Sequence, residues 1–450
     1  MASRLLALAL IGTLVVCNLC TLNCSLRVPS GFGEPGLAFN GSGNPVTTYM
    51  VWGEDDLKFA QWDGSAWLRK TVDTRGLCWH PSLAADSLGS PAVSYGDQRL
   101  GFARWDGTKW IRDTVDDGVV CGYSSLAFDG SGNPAIAYRN GNRELKLARH
   151  NGADWVCETV DVVEYCGYTS LAFDSQGNPA IGYCGFADCD LRVARWNVTN
   201  WVLQTVESGW LQAPSLAFDG SGKPSIAYID SRDRALRFAH WDGTDWVLQT
   251  LVGGDVGDCA SLAFDGLGNP AVSYTVGGTL ELGRWDGTKW VRSTVAIGQV
   301  CSQDSLAFDG SGNAAIAYCR GLDLKLARWD GVKWTEETVI EGRTRRFYSW
   351  GLFPIAIVVP VLLLLLGGSG FYSAHSRLIL GVGALAILTG LASGIAFVRY
   401  ANEIPTQDYA SGVTVGFAVL GSLAVSFLCV CAGILVLVRV WWVRQRPSHR

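Results

Sequence analysis

Short runs of apolar and β-branched residues, four to a set, recur along most of the chain, with small polar turns between them. The clearest set spans Ser125 to Val160 and reads SLAFDGSGNPAIAYRNGNRELKLARHNGADWVCETV. Its runs are Leu126 to Phe128, Ala135 to Tyr138, Leu145 to Arg149 and Trp155 to Val160, each short and either alternating or rich in strand formers. Aligned on the residue before the acidic turn, the copies fall at Phe39, Ala85, Phe128, Phe173, Phe218, Phe264 and Phe308, separated by 46, 43, 45, 45, 46 and 44 residues. None shows the 3.6-residue spacing of a helical repeat.

The turns carry their own chemistry. Between the first two runs, Asp129-Gly-Ser-Gly-Asn133 predicts a tight hairpin, because glycine supplies positive φ and an Asp side chain accepts from the backbone two residues on. Pro134 then opens the second strand, where a missing N–H is tolerated. The last two runs meet in a second hairpin, commonly Trp-Asp-Gly-Thr-Lys-Trp as at Trp105 to Trp110, whose tryptophans face each other across the turn. A single such sheet cannot bury both faces, but seven packed radially can, and a ring leaves only short protected edges. The expectation is an all-β fold: a seven-bladed β-propeller of four-stranded blades, followed by a three-helix transmembrane region.

The pair AFDxxGNPxIAY and LKLARWDGxxW, spread over residues 36–340, resembles the repeats of secreted bacterial and archaeal β-propeller proteins of unassigned function. The first half of each unit is also similar to NHL-type repeats, and the DGSG turn to the Asp-box of sialidases. An Asp-box ends in an aromatic a few residues after its glycine, where this chain has Asn-Pro, so the resemblance implies the fold and no catalytic residue.

Arg4 followed by the apolar run Leu5 to Val16 reads as a secretory signal over residues 1–24. The propeller is expected over residues 25–342 and a basic linker over 343–351. Residues 352–438 hold three apolar spans, 352–372, 378–398 and 412–438. Each is long enough to cross a hydrocarbon layer of roughly 30 Å and none has a charge in its interior. A basic tail, 439–450, ends the chain. The signal orients the molecule as a multi-pass protein of the cell membrane, with the propeller extracellular and the C-terminus cytoplasmic. Without ionisable residues inside the spans, the membrane part reads as an anchor in the lipid bilayer. A net charge of −5 gives no reason to expect nucleic acid.

Nine of the 14 cysteines fall in the propeller, which fits an oxidising compartment. Cys184 and Cys189 flank one loop and are disulfide candidates. No CxxC pair occurs in the propeller and each acidic turn offers one carboxylate, so neither a metal nor another cofactor is expected. Asn40 and Asn197 begin Asn-X-Ser/Thr triplets within the propeller.

The turns within hairpins one and three barely vary between copies, whereas the connections from second to third strand and from each unit to the next do. Strand alternation puts both variable sets on one face of the disc, which is where a partner would be read. The candidate ligand-binding residues there are Trp52, Asp55, Trp79, His80, Arg99, Tyr123, Arg139, Tyr168, Trp210, Asp230 and Arg232. Rings beside Asp and Arg suit the stacking and hydrogen bonding of a glycan or a protein ligand. The reading is therefore a recognition or adhesion module, more than an enzyme. An exported, sialidase-like glycan-processing hydrolase is the first alternative and a structural envelope protein the second; no catalytic residue is nominated.

Overall fold

The computed structural model describes residues 26–30, 32–51, 56–74, 80–96, 99–120, 123–163, 167–184 and 190–347. The three apolar spans and the leader lie outside them. Each repeat becomes one antiparallel sheet of four consecutive strands. In blade 3 these are Ser125–Phe128, Pro134–Arg139, Glu144–His150 and Trp155–Val162, paired in chain order. Six further sheets have the same order, so the propeller has seven blades, within a unit running from Pro29 to Arg343. In the second unit, Met1–Val28 with Thr344–Arg450, the described residues are all strand. Leu26–Ser30 and Arg343–Phe347 pair in a two-stranded sheet, so the start of the expected linker is in strand conformation.

The local chemistry works as the turn residues dictate. Asp129 Oδ1 accepts the amides of Ser131 at 2.9 Å and Asn133 at 2.8 Å, and Gly132 takes φ 80°, which an L side chain rarely adopts. In the other hairpin Asp106 Oδ1 accepts from the Thr108 amide and hydroxyl and from the Lys109 amide. These bonds, that of Lys109 foremost, hold its carboxyl down at about 2. The tryptophans flanking this hairpin are register partners in six blades, with ring centroids 5.5 to 5.9 Å apart. His150 replaces the first of them in blade 3 and sits 5.3 Å from Trp155.

The core lies between sheets. Seven apolar clusters each join two neighbouring blades, one per seam. The second strands are buried along nearly their whole length, as in Pro134–Arg139 and Pro224–Asp230. The fourth strands, such as Trp67–Asp73, alternate less cleanly and face outward. First strands of adjacent blades pack on each other right round the ring and line its axis. The tryptophan that opens the fourth strand packs backwards: Trp110 meets Phe59 edge-on at 5.0 Å, Trp155 meets Phe102 at 5.1 Å and Trp290 meets Phe238 at 5.2 Å.

Two devices repeat at the seams. The serine before each first-strand leucine accepts the amide of the equivalent leucine one blade on. Leu126 bonds Ser82, Leu171 bonds Ser125, Leu216 bonds Ser170, Leu262 bonds Ser215 and Leu306 bonds Ser261, all at 2.9 to 3.1 Å. The ring closes identically, with the Leu37 amide on Ser305 Oγ at 3.1 Å. Only the seam from blade 1 to blade 2 differs: the serine position is Gly36, where a Cβ would sit 2.8 Å from both Leu83 Cβ and Thr48 Oγ1. Second, a second-strand tyrosine donates its hydroxyl to a carboxylate ending the fourth strand of the preceding blade. Tyr95 bonds Asp73 at 2.8 Å, Tyr183 bonds Asp161 at 2.6 Å, and Tyr138 and Tyr228 bond Asp116 and Glu207.

Candidate functional site

In blades 3, 5, 6 and 7 the two variable connections meet, because they bond to one another. Gly141 N donates to Val119 O, Ser231 N to Trp210 O, Gly277 N to Asp255 O and Gly321 N to Gln299 O. Each joins a loop between second and third strands to the link entering that blade.

The nominated residues separate into groups. Three lie in successive links at one register position, three residues before the first-strand leucine. Tyr123 stacks on Tyr168 with centroids 4.1 Å apart and planes within 16°, and His80 lies against the other side of Tyr123 at 3.7 Å. Gln303 holds the same register position in blade 7, and its Nε2 donates to the Tyr123 hydroxyl at 3.1 Å. Blades 3 and 7 are not neighbours in the ring, so this bond spans the axial channel. The links are also tied through their backbones, with Tyr123 N on Gly167 O at 2.9 Å. These rings, all half-buried, form a strut across the channel rather than the wall of an open pocket.

Three others meet on blade 5. Asp230 is fully buried and receives Arg232 Nε at 3.0 Å and Nη2 at 2.8 Å, a two-point contact, plus Arg237 Nη2 at 2.8 Å. The Arg232 side-chain bonds are the main cause holding the Asp230 carboxyl below its ordinary range. Arg237 also bonds Glu207, which accepts Tyr228, and faces Asp233 at 3.5 Å. Above this network Trp210 is 66% exposed and Arg232 half-exposed. The rest do not join either group. Arg139 is buried and Arg99 is exposed, while Trp52, Asp55 and Trp79 lie outside the described residues. Cys184 is buried at the end of its strand, and Cys189 also lies outside them.

Two groups escape a motif reading. Gln303 carries no chemical flag until its ring position is compared with His80, Tyr123 and Tyr168. Beside it, the Asp304 carboxylate accepts the Ser273 hydroxyl; its Oδ1 is shut off from solvent and has no partner among the described residues, and burial pushes its carboxyl up to about 7.

No protein-family model matches the chain, and no curated protein matches it. Among solved structures, the six-bladed fucose-recognising lectin of Aleuria aurantia is similar at 13% identity, covering 72% of this chain and 100% of its own with a TM-score of 0.44. A triple arginine mutant of AofleA from Arthrobotrys oligospora is similar at 15% identity over 59% of this chain and 88% of its own, TM-score 0.45. The leech intramolecular trans-sialidase follows at 11% identity, 68% and 69% coverage and a TM-score of 0.39. At these identities and TM-scores none of them speaks to this chain's ligand or chemistry.

Proposed function

We propose that this chain is a membrane-anchored, extracellular binding module whose ligand, a glycan or a protein, is met on the variable face at blade 5. The observation that carries the reading is the pairing of a largely exposed Trp210 with an Arg232 guanidinium already fixed by buried Asp230. Trp and Arg dominate binding energies where they are desolvated by a partner, and a side chain held in place beforehand loses less entropy on contact. Arg232 uses Nε and one Nη2 hydrogen toward Asp230, which leaves further N–H donors on a guanidinium that is half-exposed. The channel mouth, spanned by the Gln303 to Tyr123 bond, contributes rigidity to this face. Anchoring follows from the three apolar spans and outside placement from the leader.

The test is binding of the purified full chain to a glycan array and to intact cells. Binding that falls at least roughly tenfold in Trp210→Ala, with its unfolding midpoint unchanged, and in Arg232→Gln measured well below that variant's own midpoint, is the expected result. Binding untouched by either change would move the site off blade 5, and the absence of any binding would remove the recognition reading.

A further inference from the structure

A second site stands on the opposite side of the disc, between blades 4 and 5. In five blades the residue before the first hairpin aromatic is an arginine, and each lies against a ring of the following blade. Arg104 faces Phe128 at 5.9 Å, Arg149 faces Trp196 at 5.7 Å, Arg195 faces Trp241 at 4.7 Å, Arg284 faces Phe308 at 5.6 Å and Arg328 faces Trp62 at 5.8 Å. Four of the five have a carboxylate. Arg104 pairs with Asp86 and Arg284 with Asp265 at 3.2 Å, both through the first turn of their own blade. Arg149 pairs with Glu158 at 3.1 Å and Arg328 with Glu337 at 2.7 Å, both across to the fourth strand.

Arg195 is the exception. Its fourth-strand neighbour is Gln204, whose Oε1 accepts Nη2 at 2.9 Å, and among the described residues it has no ion pair. Burial pulls its pKa down. A guanidinium so placed has lost hydration without gaining a direct ion pair among the described residues, which is costly unless something supplies one. The same seam holds a cleft of about 230 Å³ whose lining includes Arg195, Trp196, Val202, Phe218, Asp174 and Asn178.

We propose that this cleft binds a carboxylate-bearing sugar, with Arg195 receiving the carboxylate. The guanidinium lies over Trp241 and gives one Nη2 hydrogen to Gln204, so its remaining N–H groups are what is left for an anion, and a carboxylate accepts from two of them at once. Trp196, Val202 and Phe218 suit the C–H face of a pyranose. Asp174 spends Oδ1 on the Gln176 and Asn178 amides and Oδ2 on Asn178 Nδ2, so its charge is committed to the turn. That nearby negative charge disfavours a multiply charged anion, while its remaining lone pairs accept from sugar hydroxyls. The site is independent of blade 5's Trp210 and Arg232.

The experiment is titration of the purified full chain with D-glucuronate, with D-glucose and inorganic sulfate as comparisons. The protein is made in a bacterial host so that Asn197, which lines the cleft and heads an Asn-Val-Thr triplet, stays unmodified. Saturable glucuronate binding, with glucose and sulfate each at least roughly tenfold weaker, is expected. Arg195→Gln weakens glucuronate by a similar factor, and Arg149→Gln leaves it unchanged. Gln204→Glu is the decisive variant, because it copies Glu158 and Glu337, gives Arg195 an internal partner and abolishes binding without harming the fold. No binding by the wild type, equal binding of glucose or sulfate, or undiminished binding in Gln204→Glu would each overturn the proposal.

Discussion

Asp304 shows how much one side chain in a seam can set. Its residue surface is half-buried, yet Oδ1 is closed off from solvent and meets no donor among the described residues, so the ionised form is penalised and the carboxyl is pushed up from 3.8 to about 7. A raised folded pKa means that the proton is held more tightly in the folded state. Asp304 therefore contributes stability that is complete below about pH 3.8 and is lost as pH rises through about 7. At about 1.4 kcal/mol per pH unit the gap is worth at most about 4 kcal/mol. Asp304→Asn should unfold at a higher temperature than the wild type at pH 8 and show a flatter stability profile between pH 4 and 7; thermal melts across that range check it. Among the nominated residues, Trp210, Asp230 and Arg232 could be named from the sequence because they fall in the connections that vary between repeats. Asp304 was not, since a carboxylate in a loop and one sealed under a neighbouring strand read alike along the chain.

At the level of the strand, the period and the two hairpins could be read directly, because turn chemistry is local: Asp129, Gly132 and the paired tryptophans do in three dimensions what their spacing implies. What joins one sheet to the next was harder to see. The seam serine is present in six of seven repeats, and only coordinates show that it serves the following blade. Ser170→Ala should leave the Leu216 amide without its acceptor and cost roughly 1–2 kcal/mol, read as a lower urea midpoint at unchanged slope. Gly36→Ser tests the exception. Restoring the missing serine should destabilise rather than help, because Leu83 Cβ and Thr48 Oγ1 already occupy its space. The tyrosine device has a similar limit. Where the fourth strand ends on Val252 or Ala296 instead of a carboxylate, Tyr274 and Tyr318 turn to Glu281 and Glu336 of their own blades.

On the scale of the molecule, the seam between blades 7 and 1 is built from the same parts as the others. Its apolar cluster joins Leu37 and Tyr49 to Leu326 and Val339, Arg69 Nη2 donates to Val339 O at 3.0 Å, and Arg328 lies over Trp62. Arg112, at an internal seam, makes the matching bond to Val72 O at 2.7 Å. If the ring melts as one body, Arg69→Ala and Arg112→Ala should lower stability equally, within about 0.5 kcal/mol, with a single transition in each. A separate early transition in Arg69→Ala would show the closing seam opening alone. The proposed topology has its own check: on intact cells, a membrane-impermeant amine reagent should label the propeller lysines while a C-terminal tag stays protected. The blade count was legible from seven anchors, but the axial strut was not, since residues 180 positions apart give no pattern. Closure by packing has a further consequence. Because each of the seven blades is four consecutive strands, and the strands from the two ends pair only in a separate two-stranded sheet, whole units can be gained or lost by duplication without rebuilding a shared blade. The circumference is then set by the wedge each apolar cluster imposes, and such chains would change size one complete repeat at a time.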